Sequence, residues 1–579
     1  MPPQRAATAA KTESALNRRL RQLREIAAGF KRSKMSPLQL CEAIIDGRLI
    51  DPRTRSFFSG LPADERHYWI ASLYALRMSK RQRRRLAAYF TPPHLVRHVI
   101  DVLEEVGIEP GKHRILDPAS GGAAFLVPLA ARVASTERRR GRPAASILRT
   151  IESTLAGIEI APQLAQLSRL LLADLLRADL KSSARRTLKL PICTADTLKS
   201  PAPEPLYDAI VGNPPYGRIL RPSRDLLTRF ADVVSDGYVN LYALFIEQAL
   251  RWVKPGGVVC LIVPMSFVGG AYFAALRKRI LESAHVLRID PIEKRNDVFL
   301  DVLYDVCVLV LRKKGGAASA KPAASSLLRL DEPARILGKI DLPAHPSERV
   351  WALPDGVLDD RLFQDGLATL QDYGYIAKAG YFVWNREQHR YRRGFRPRSN
   401  EVPLFWAHNV RPNAICQPCD ATGSDRIGLV KIVADNQAII RTDAIILQRT
   451  TNRRQKRRLV AALVRKKAVP GDGRFVSENH TILLLPDPTR PQAVPLGMLC
   501  RLLNTEAVDS RFRRISGSVS VSTKAMRQLP LPTVAALRAS FAPGVSVDEA
   551  AAAAYELSLS RTSAKRPKGG KAESRRDAR

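Results

Sequence analysis

Short apolar runs alternate with longer amphipathic stretches along the middle of the chain. Arg114-Ile115-Leu116, Leu155 to Ile160, Ala209-Ile210-Val211 and Val258 to Val263 are short and rich in β-branched residues, as strands are. Phe125 to Val133, Leu164 to Leu176 and Leu241 to Val253 fall between them with helical spacing. Alternation of this kind predicts βαβ units around a mostly parallel sheet, hence an α/β fold. Val302 to Leu311 adds a further strand rich in Val and Leu.

The two ends differ from this middle. Residues 1–85 read as helical and basic, from Lys11, Arg18, Arg19, Arg21 and Arg24, through apolar positions near Leu38 to Ile45, to the cluster Lys80 to Arg85. Residues 313–326 have linker composition. Beyond them lies a less regular half with many Arg, Pro and aromatic residues, and Arg561 to Arg579 reads as a basic, disordered tail. The expected domains are therefore a basic helical region (1–85), an α/β domain (86–315), a linker (316–345), a mixed α+β domain (346–545) and a partly disordered basic tail (546–579).

Charge narrows the function. The 579 residues carry a formal net charge of +38. A polyanionic partner is the simplest reading, because neutralising phosphates releases counterions; solvated charge that serves only solubility is the bland one. No long amphipathic stretch with aromatic anchors points to a membrane surface, and no window approaches 18 consecutive apolar residues. The start is charged from Arg5 onward, unlike a signal peptide. The expectation is a soluble, cytoplasmic protein. Seven cysteines are too sparse for a disulfide framework. Cys416 and Cys419 form one C-x-x-C without a convincing second pair, so no metal is expected.

The most informative residues are Asn213-Pro214-Pro215-Tyr216-Gly217-Arg218, which follow the strand Tyr207 to Val211. Parallel-sheet proteins place ligands just past a strand's carboxyl end. An exocyclic aromatic amine is a weak nucleophile because its lone pair is delocalised into the ring. An Asn oxygen and a backbone carbonyl that accept its hydrogens would localise that lone pair. Two prolines fix the backbone beside them, and the adjacent aromatic can stack on a base. Upstream, Asp117-Pro118-Ala119-Ser120-Gly121-Gly122 closes a strand and opens a helix, with small residues that let backbone approach a nucleoside. Gly157-Ile158-Glu159-Ile160 ends a strand in an acid suited to ribose hydroxyls. Ser135 to Pro143 looks like an insertion between these two motifs, and Thr194-Ala195-Asp196 offers a third carboxylate.

Taken in order, these pieces resemble the class I, S-adenosylmethionine-dependent DNA adenine-N6 methyltransferases of restriction-modification type in the gamma arrangement, with the catalytic domain first and the target-recognition domain after. The resemblance covers roughly residues 86–540. It implies a Rossmann-like catalytic domain and S-adenosylmethionine as cofactor. Thr91, in Ala88-Tyr89-Phe90-Thr91-Pro92-Pro93, would hold the methionine part, and Asp117, Ala119 and Gly121 methionine and ribose. Glu159 would take the ribose hydroxyls and Asp196 the adenine. Asn213, Pro214, Pro215 and Tyr216 would be catalytic, with Tyr216 and Phe299 stacking on a flipped adenine. Two positions depart from the family: Ser120 stands where Cys is usual, and Ala123 where Gly is usual.

The implied partner is duplex DNA, with a separate restriction or defence subunit left open, in a bacterial cytoplasm at the nucleoid. Tyr381 to Arg386, Arg390 to Arg398, Gln448 to Gln455 and Ser477 to His480 mix residue types that read bases and hold phosphates. RNA or protein-glutamine methylation, cytosine-N4 methylation and a non-catalytic DNA-binding remnant are the competing readings. No convincing nuclease set accompanies the motifs.

Overall fold

The computed structural model describes residues 15–30, 33–48, 51–85, 90–183, 188–189, 192–234, 239–292, 305–315, 323–329, 332–340, 342, 351, 353–354, 367–418, 426–432, 438–450, 457–516 and 521–563. The chain divides into two compact units. One comprises Met1–Phe267, Tyr272–Lys339 and Ala344–Ser347; the other comprises Val268–Ala271, Ile340–Pro343 and Glu348–Arg579.

The first unit is built on a nine-stranded sheet, of α/β class as the alternation predicts. Its strands are β1 (Ile115–Asp117), β2 (Leu155–Glu159), β3 (Ile192–Thr194), β4 (Tyr207–Gly212), β7 (Val253–Pro264), β8 (Ala284–Pro291), β9 (Val306–Lys313), β10 (Ala324–Arg329) and β11 (Glu332–Lys339). A two-stranded ribbon, β5 (Arg218–Ile219) with β6 (Val239–Asn240), stands apart from the sheet. The order across the sheet is β11-β10-β8-β9-β7-β4-β1-β2-β3. β3, β2, β1, β4 and β7 pair in parallel, and β9 runs antiparallel between β7 and β8. The chain passes outward from β1 to β3, then returns to the other side of β1 as β4. The order therefore reverses between β1 and β4, the place where an open parallel sheet leaves a ligand crevice at its carboxyl edge.

Two expectations are corrected. Ser135 to Pro143, which looks like an insertion, is partly helical: helix Leu126–Arg139 runs through Ser135 to Arg139, and a second helix, Ala144–Thr154, leads into β2. Ile147, Leu148 and Ile151 bury that helix's apolar face, so the longer spacing has a packed element to account for it. The linker expected at 316–345 contains β10 and β11, an antiparallel pair that extends the sheet. Its Ala and Ser content misleads because Ser325 is buried and its hydroxyl donates to the Ile289 carbonyl at 2.6 Å. The tail expected from 546 begins with the helix Val547–Ser563, which buries Ala551, Ala554 and Tyr555 in the core of the second unit; residues 564–579 lie outside the described residues.

The N-terminal region is helical as expected, with helices Ala15–Gly29, Pro37–Ile45, Pro52–Ser59, Ala63–Arg77 and Lys80–Arg85. It shares one core with the sheet: Leu23, Trp69 and Leu73 belong to the same buried cluster as Phe90, Val99 and Leu172. Asp174, on helix Pro162–Leu175, fixes the contact by accepting from Arg66 (3.1 Å) and pairing with the buried His67 (3.0 Å). Those partners hold its carboxyl below the usual range against the opposing effect of burial.

The second unit is mixed α+β. One antiparallel sheet joins β12 (Tyr375–Ala379), β19 (Thr481–Pro486), β16 (Ala444–Gln448) and β17 (Ala461–Val464). The other joins β13 (Tyr391–Gly394), β15 (Ile427–Lys431), β14 (Glu401–Phe405) and β18 (Val476–Ser477). Helices Leu496–Leu503, Glu506–Ile515 and Val547–Ser563 pack with the first of these sheets around Leu484, Leu502, Phe512 and Tyr555.

Candidate active site

Four of the predicted residues stand at the carboxyl ends of adjacent parallel strands. Asp117 is the last residue of β1, Glu159 the last of β2, Asp196 lies two past β3, and Asn213 directly follows β4. They line one cavity of about 280 Å³, together with Thr91, Ala119, Gly121 and Pro215. Pro214 and Tyr216 are not among its lining residues, and Phe299 lies outside the described residues.

Each carboxylate is held by backbone amides. Asp117 Oδ1 accepts from Ala119 N at 3.1 Å, closing the small-residue turn on itself. Glu159 Oε2 accepts from Gly121 N and Oε1 from Ala161 N, both at 2.9 Å, so the end of β2 is tied to the turn after β1. Asp196 Oδ1 caps the following turn through Leu198 N at 3.1 Å. Burial pushes the Asp117 carboxyl up to about 8, with the nearby Glu159 charge adding to it and the Ala119 amide opposing it. Burial raises Glu159 as well, against the backbone amides of Ala161, Gly121 and Ile160. Gly212 is required by this closeness, since a Cβ there would lie 2.8 Å from Asp117 Oδ1.

The Asn213 side chain is held at both ends. Its Nδ2 donates to Thr91 Oγ1 at 3.2 Å, and its Oδ1 accepts from the Tyr216 hydroxyl at 2.5 Å. The same hydroxyl lies 3.0 Å from the Ile262 carbonyl near the end of β7. The Tyr216 ring meets Tyr242 edge-on, with centroids 6.5 Å apart, and Tyr242 hydrogen-bonds Ser266 at 2.8 Å. Sequence reasoning missed the apolar wall of the cavity, which includes Ile219, Leu226 and Phe245, and it missed the Thr91–Asn213 bond. Thr91 and Asn213 are 122 positions apart, and no local pattern pairs them. Ser120 lines the cavity with its Oγ buried and lacking a hydrogen-bond partner among the described residues.

Several residues expected to read bases have structural roles instead. Gln448 is buried and donates to the Val410 carbonyl at 3.0 Å, and Ser477 is buried. Arg392 pairs with Glu401, and Arg390 with Glu387 at 2.6 Å. Strand sites next to a core use polar side chains to satisfy backbone, which composition does not reveal. Asn385, Arg386, Arg393, Arg396 and Arg398 are exposed, whereas 451–456 lie outside the described residues. Cys416 is buried and its thiol donates to the Asn409 carbonyl at 3.2 Å; Cys419 is outside the described residues. No described helix is long and apolar enough to cross a membrane.

Residues 154–299, from β2 past the Asn213 loop, match the Eco57I restriction-modification methylase family. The chain is 24% identical over 348 residues to the type II methyltransferase M.PstI of Providencia stuartii, covering 57% of this chain and 66% of that protein. It is 22% identical over 343 residues to the type II methyltransferase M.BsuBI of Bacillus subtilis, covering 55% of this chain and 64% of that one. The matches thus span less than two thirds of these curated relatives. Among solved structures, the type IIL restriction-modification enzyme MmeI in complex with DNA has a similar fold, with a TM-score of 0.54 at 14% identity over 96% of this chain and 94% of that one.

Proposed function

We propose that this chain transfers a methyl group from S-adenosylmethionine to the N6 amine of an adenine turned out of duplex DNA. The observation that carries the reading is the position of Asn213, directly past β4 and lining the same cavity as Asp117, Gly121, Glu159 and Asp196. The residues present fit the methyl donor. Small residues leave backbone open at the turn after β1, carboxylates stand at three strand ends, and the Ser120 hydroxyl is buried with no partner among the described residues. When bound, S-adenosylmethionine supplies a methyl group already activated by its sulfonium charge.

In this reading Glu159 accepts the ribose hydroxyls, Asp196 the cofactor's adenine amine, and Asp117, Ala119, Gly121 and Thr91 frame the methionine end. Asn213 Oδ1 and a carbonyl of the Pro214-Pro215 turn accept hydrogens from the target amine and localise its lone pair. The Tyr216 hydroxyl leaves Asn213 Oδ1 as the amine arrives, and its ring, with Phe299, replaces the stacking lost on extrusion. The methylated amine then loses its proton to solvent. The second unit serves target recognition, as in a gamma arrangement, and a separate restriction subunit is the further partner to look for.

Transfer of tritium from labelled S-adenosylmethionine to unmethylated genomic DNA tests this. Label in N6-methyladenine, reduced at least about 100-fold by Asn213→Ala, is the expected result. Cofactor binding without label in DNA overturns it in favour of RNA or protein, and absence of cofactor binding in favour of a DNA-binding remnant.

A further inference from the structure

We infer that Thr91 is a positioning residue for the transfer step: its hydroxyl holds the Asn213 amide with the oxygen turned toward the acceptor amine. The inference rests on the proposed function and extends it from Asn213 to the group behind it. Thr91 is buried, and its Oγ1 takes the hydrogen bond from Asn213 Nδ2 at 3.2 Å. The other end of the amide, Oδ1, faces the Tyr216 hydroxyl at 2.5 Å. An amide turned by half a rotation would present two hydrogens to the target amine, which itself offers hydrogens. Only the observed orientation lets Asn213 accept. That orientation aims Nδ2 at residue 91, so residue 91 must accept in turn, because an unpaired N–H in a buried site is costly.

The backbone that carries Thr91 is fixed from two sides. Pro92 and Pro93 follow it and lead into helix Pro93–Glu105. Phe90 precedes it and packs on the turn after β1: a Cβ added at Gly122 would lie 2.8 Å from Phe90 Cε1 and 2.9 Å from Ala71 Cβ. β-branching restricts χ1 of Thr91 itself, which Ser cannot match. The chain thus runs from the turn that frames the cofactor cavity, through Phe90 and Thr91, to the amide of Asn213. Any shift of that turn reaches Asn213 by contact.

Thr91→Val keeps the shape and removes the hydroxyl; Thr91→Ser keeps the hydroxyl and loosens it. Three readouts on the full chain decide the matter: S-adenosylmethionine affinity by calorimetry, single-turnover methyl transfer to DNA at saturating cofactor, and the Asn213 side-chain amide in asparagine-labelled protein by ¹⁵N NMR. The amide signal is assigned by its loss in Asn213→Ala. Expected for Thr91→Val is a transfer rate that stays about ten- to a hundredfold lower at saturating cofactor, beyond any loss of cofactor affinity through its place at the methionine end. Thr91→Ser should restore most of the rate. The hydrogen-bonded Nδ2 proton should be shifted and slow to exchange in wild type and Thr91→Ser, and lose both features in Thr91→Val. A Thr91→Val enzyme whose defect vanishes at saturating cofactor makes Thr91 a cofactor contact only and overturns the inference. An amide signal indifferent to Val overturns it too. If wild-type protein labels no DNA, the proposed function falls while the NMR comparison still decides Thr91. Should Thr91→Val fail to fold by circular dichroism, Thr91→Ser decides: a wild-type rate and amide signal uphold the inference, and a lost amide signal sinks it.

Discussion

At the scale of single residues the carboxylates of the site are held by backbone amides. Asp117 shows what that costs. Its carboxyl is fully enclosed and titrates near 8, against about 3.9 in an unfolded chain. A raised acid binds its proton more tightly when folded, so its contribution to stability is fully present below the unfolded value and is lost as pH rises through about 8. Asp117→Asn removes that titration. The variant should therefore gain stability over wild type between neutral pH and pH 9 without cofactor, and gain least near pH 4; chemical denaturation across this range would read the difference, and equal shifts at all pH values would contradict it. Ala123 offers a second test. It has φ of +59°, a left-handed conformation that a Cβ disfavours. Ala123→Gly should raise stability by up to about 1 kcal/mol, seen as a higher urea midpoint at unchanged slope. These two effects were only partly legible beforehand. That Ala replaces Gly is written in the chain, but the sign of φ at that position belongs to the folded turn.

Elements carry a different lesson, plainest where a segment's composition pointed one way and its neighbours another. β10 and β11 lie in residues 316–345, expected as a linker from the composition of 313–326, yet the sheet continues through them. The reason is Asp290 on β8. Fully buried, it accepts from Ser326 N at 2.7 Å and Arg288 Nε at 2.9 Å, and lies 3.2 Å from His98 Nε2. Removing the carboxylate leaves those donors without their shared acceptor. Asp290→Ala should destabilise by about 3 kcal/mol, with hydrogen exchange in β10 and β11 accelerated ahead of the rest of the sheet. Uniform acceleration would mean that the strands do not depend on this anchor. The α/β alternation, by contrast, was readable at β1, β2, β4, β7 and β9, though not at β8, because strands covered by helices on both faces must be short and apolar whatever their partners.

For the whole molecule, two quantities matter: a shared core and an excess of positive charge. The N-terminal helices were expected as a region of their own and are helical. They bury Leu23, Trp69 and Leu73 in the same cluster as the helices beside the sheet. A chain beginning at residue 86 would expose that face, and loss of its cooperative thermal transition is expected; an unaltered transition would show the helices to be dispensable. The charge of +38 predicts that duplex DNA affinity falls by about a thousandfold or more between roughly 50 and 200 mM salt. A flat salt profile in a filter-binding or anisotropy titration would remove DNA phosphates as its main partner.

The sequence by itself determined the class of fold, the strand ends that bear Asp117, Glu159, Asp196 and Asn213, and the chemistry those residue types permit. It could do so because strand and helix periodicity are local, and because ligand residues in a parallel sheet follow strand ends. Only the tertiary structure decided which of these side chains share a cavity, that the sheet reverses its order between β1 and β4, and that Thr91 meets Asn213. It alone showed that Gln448 and Ser477 are buried rather than offered to a ligand. Burial and hydrogen-bond partnership are set by residues far away in the chain, and a side chain's type does not state whether its polar atoms are spent on backbone or left for a partner.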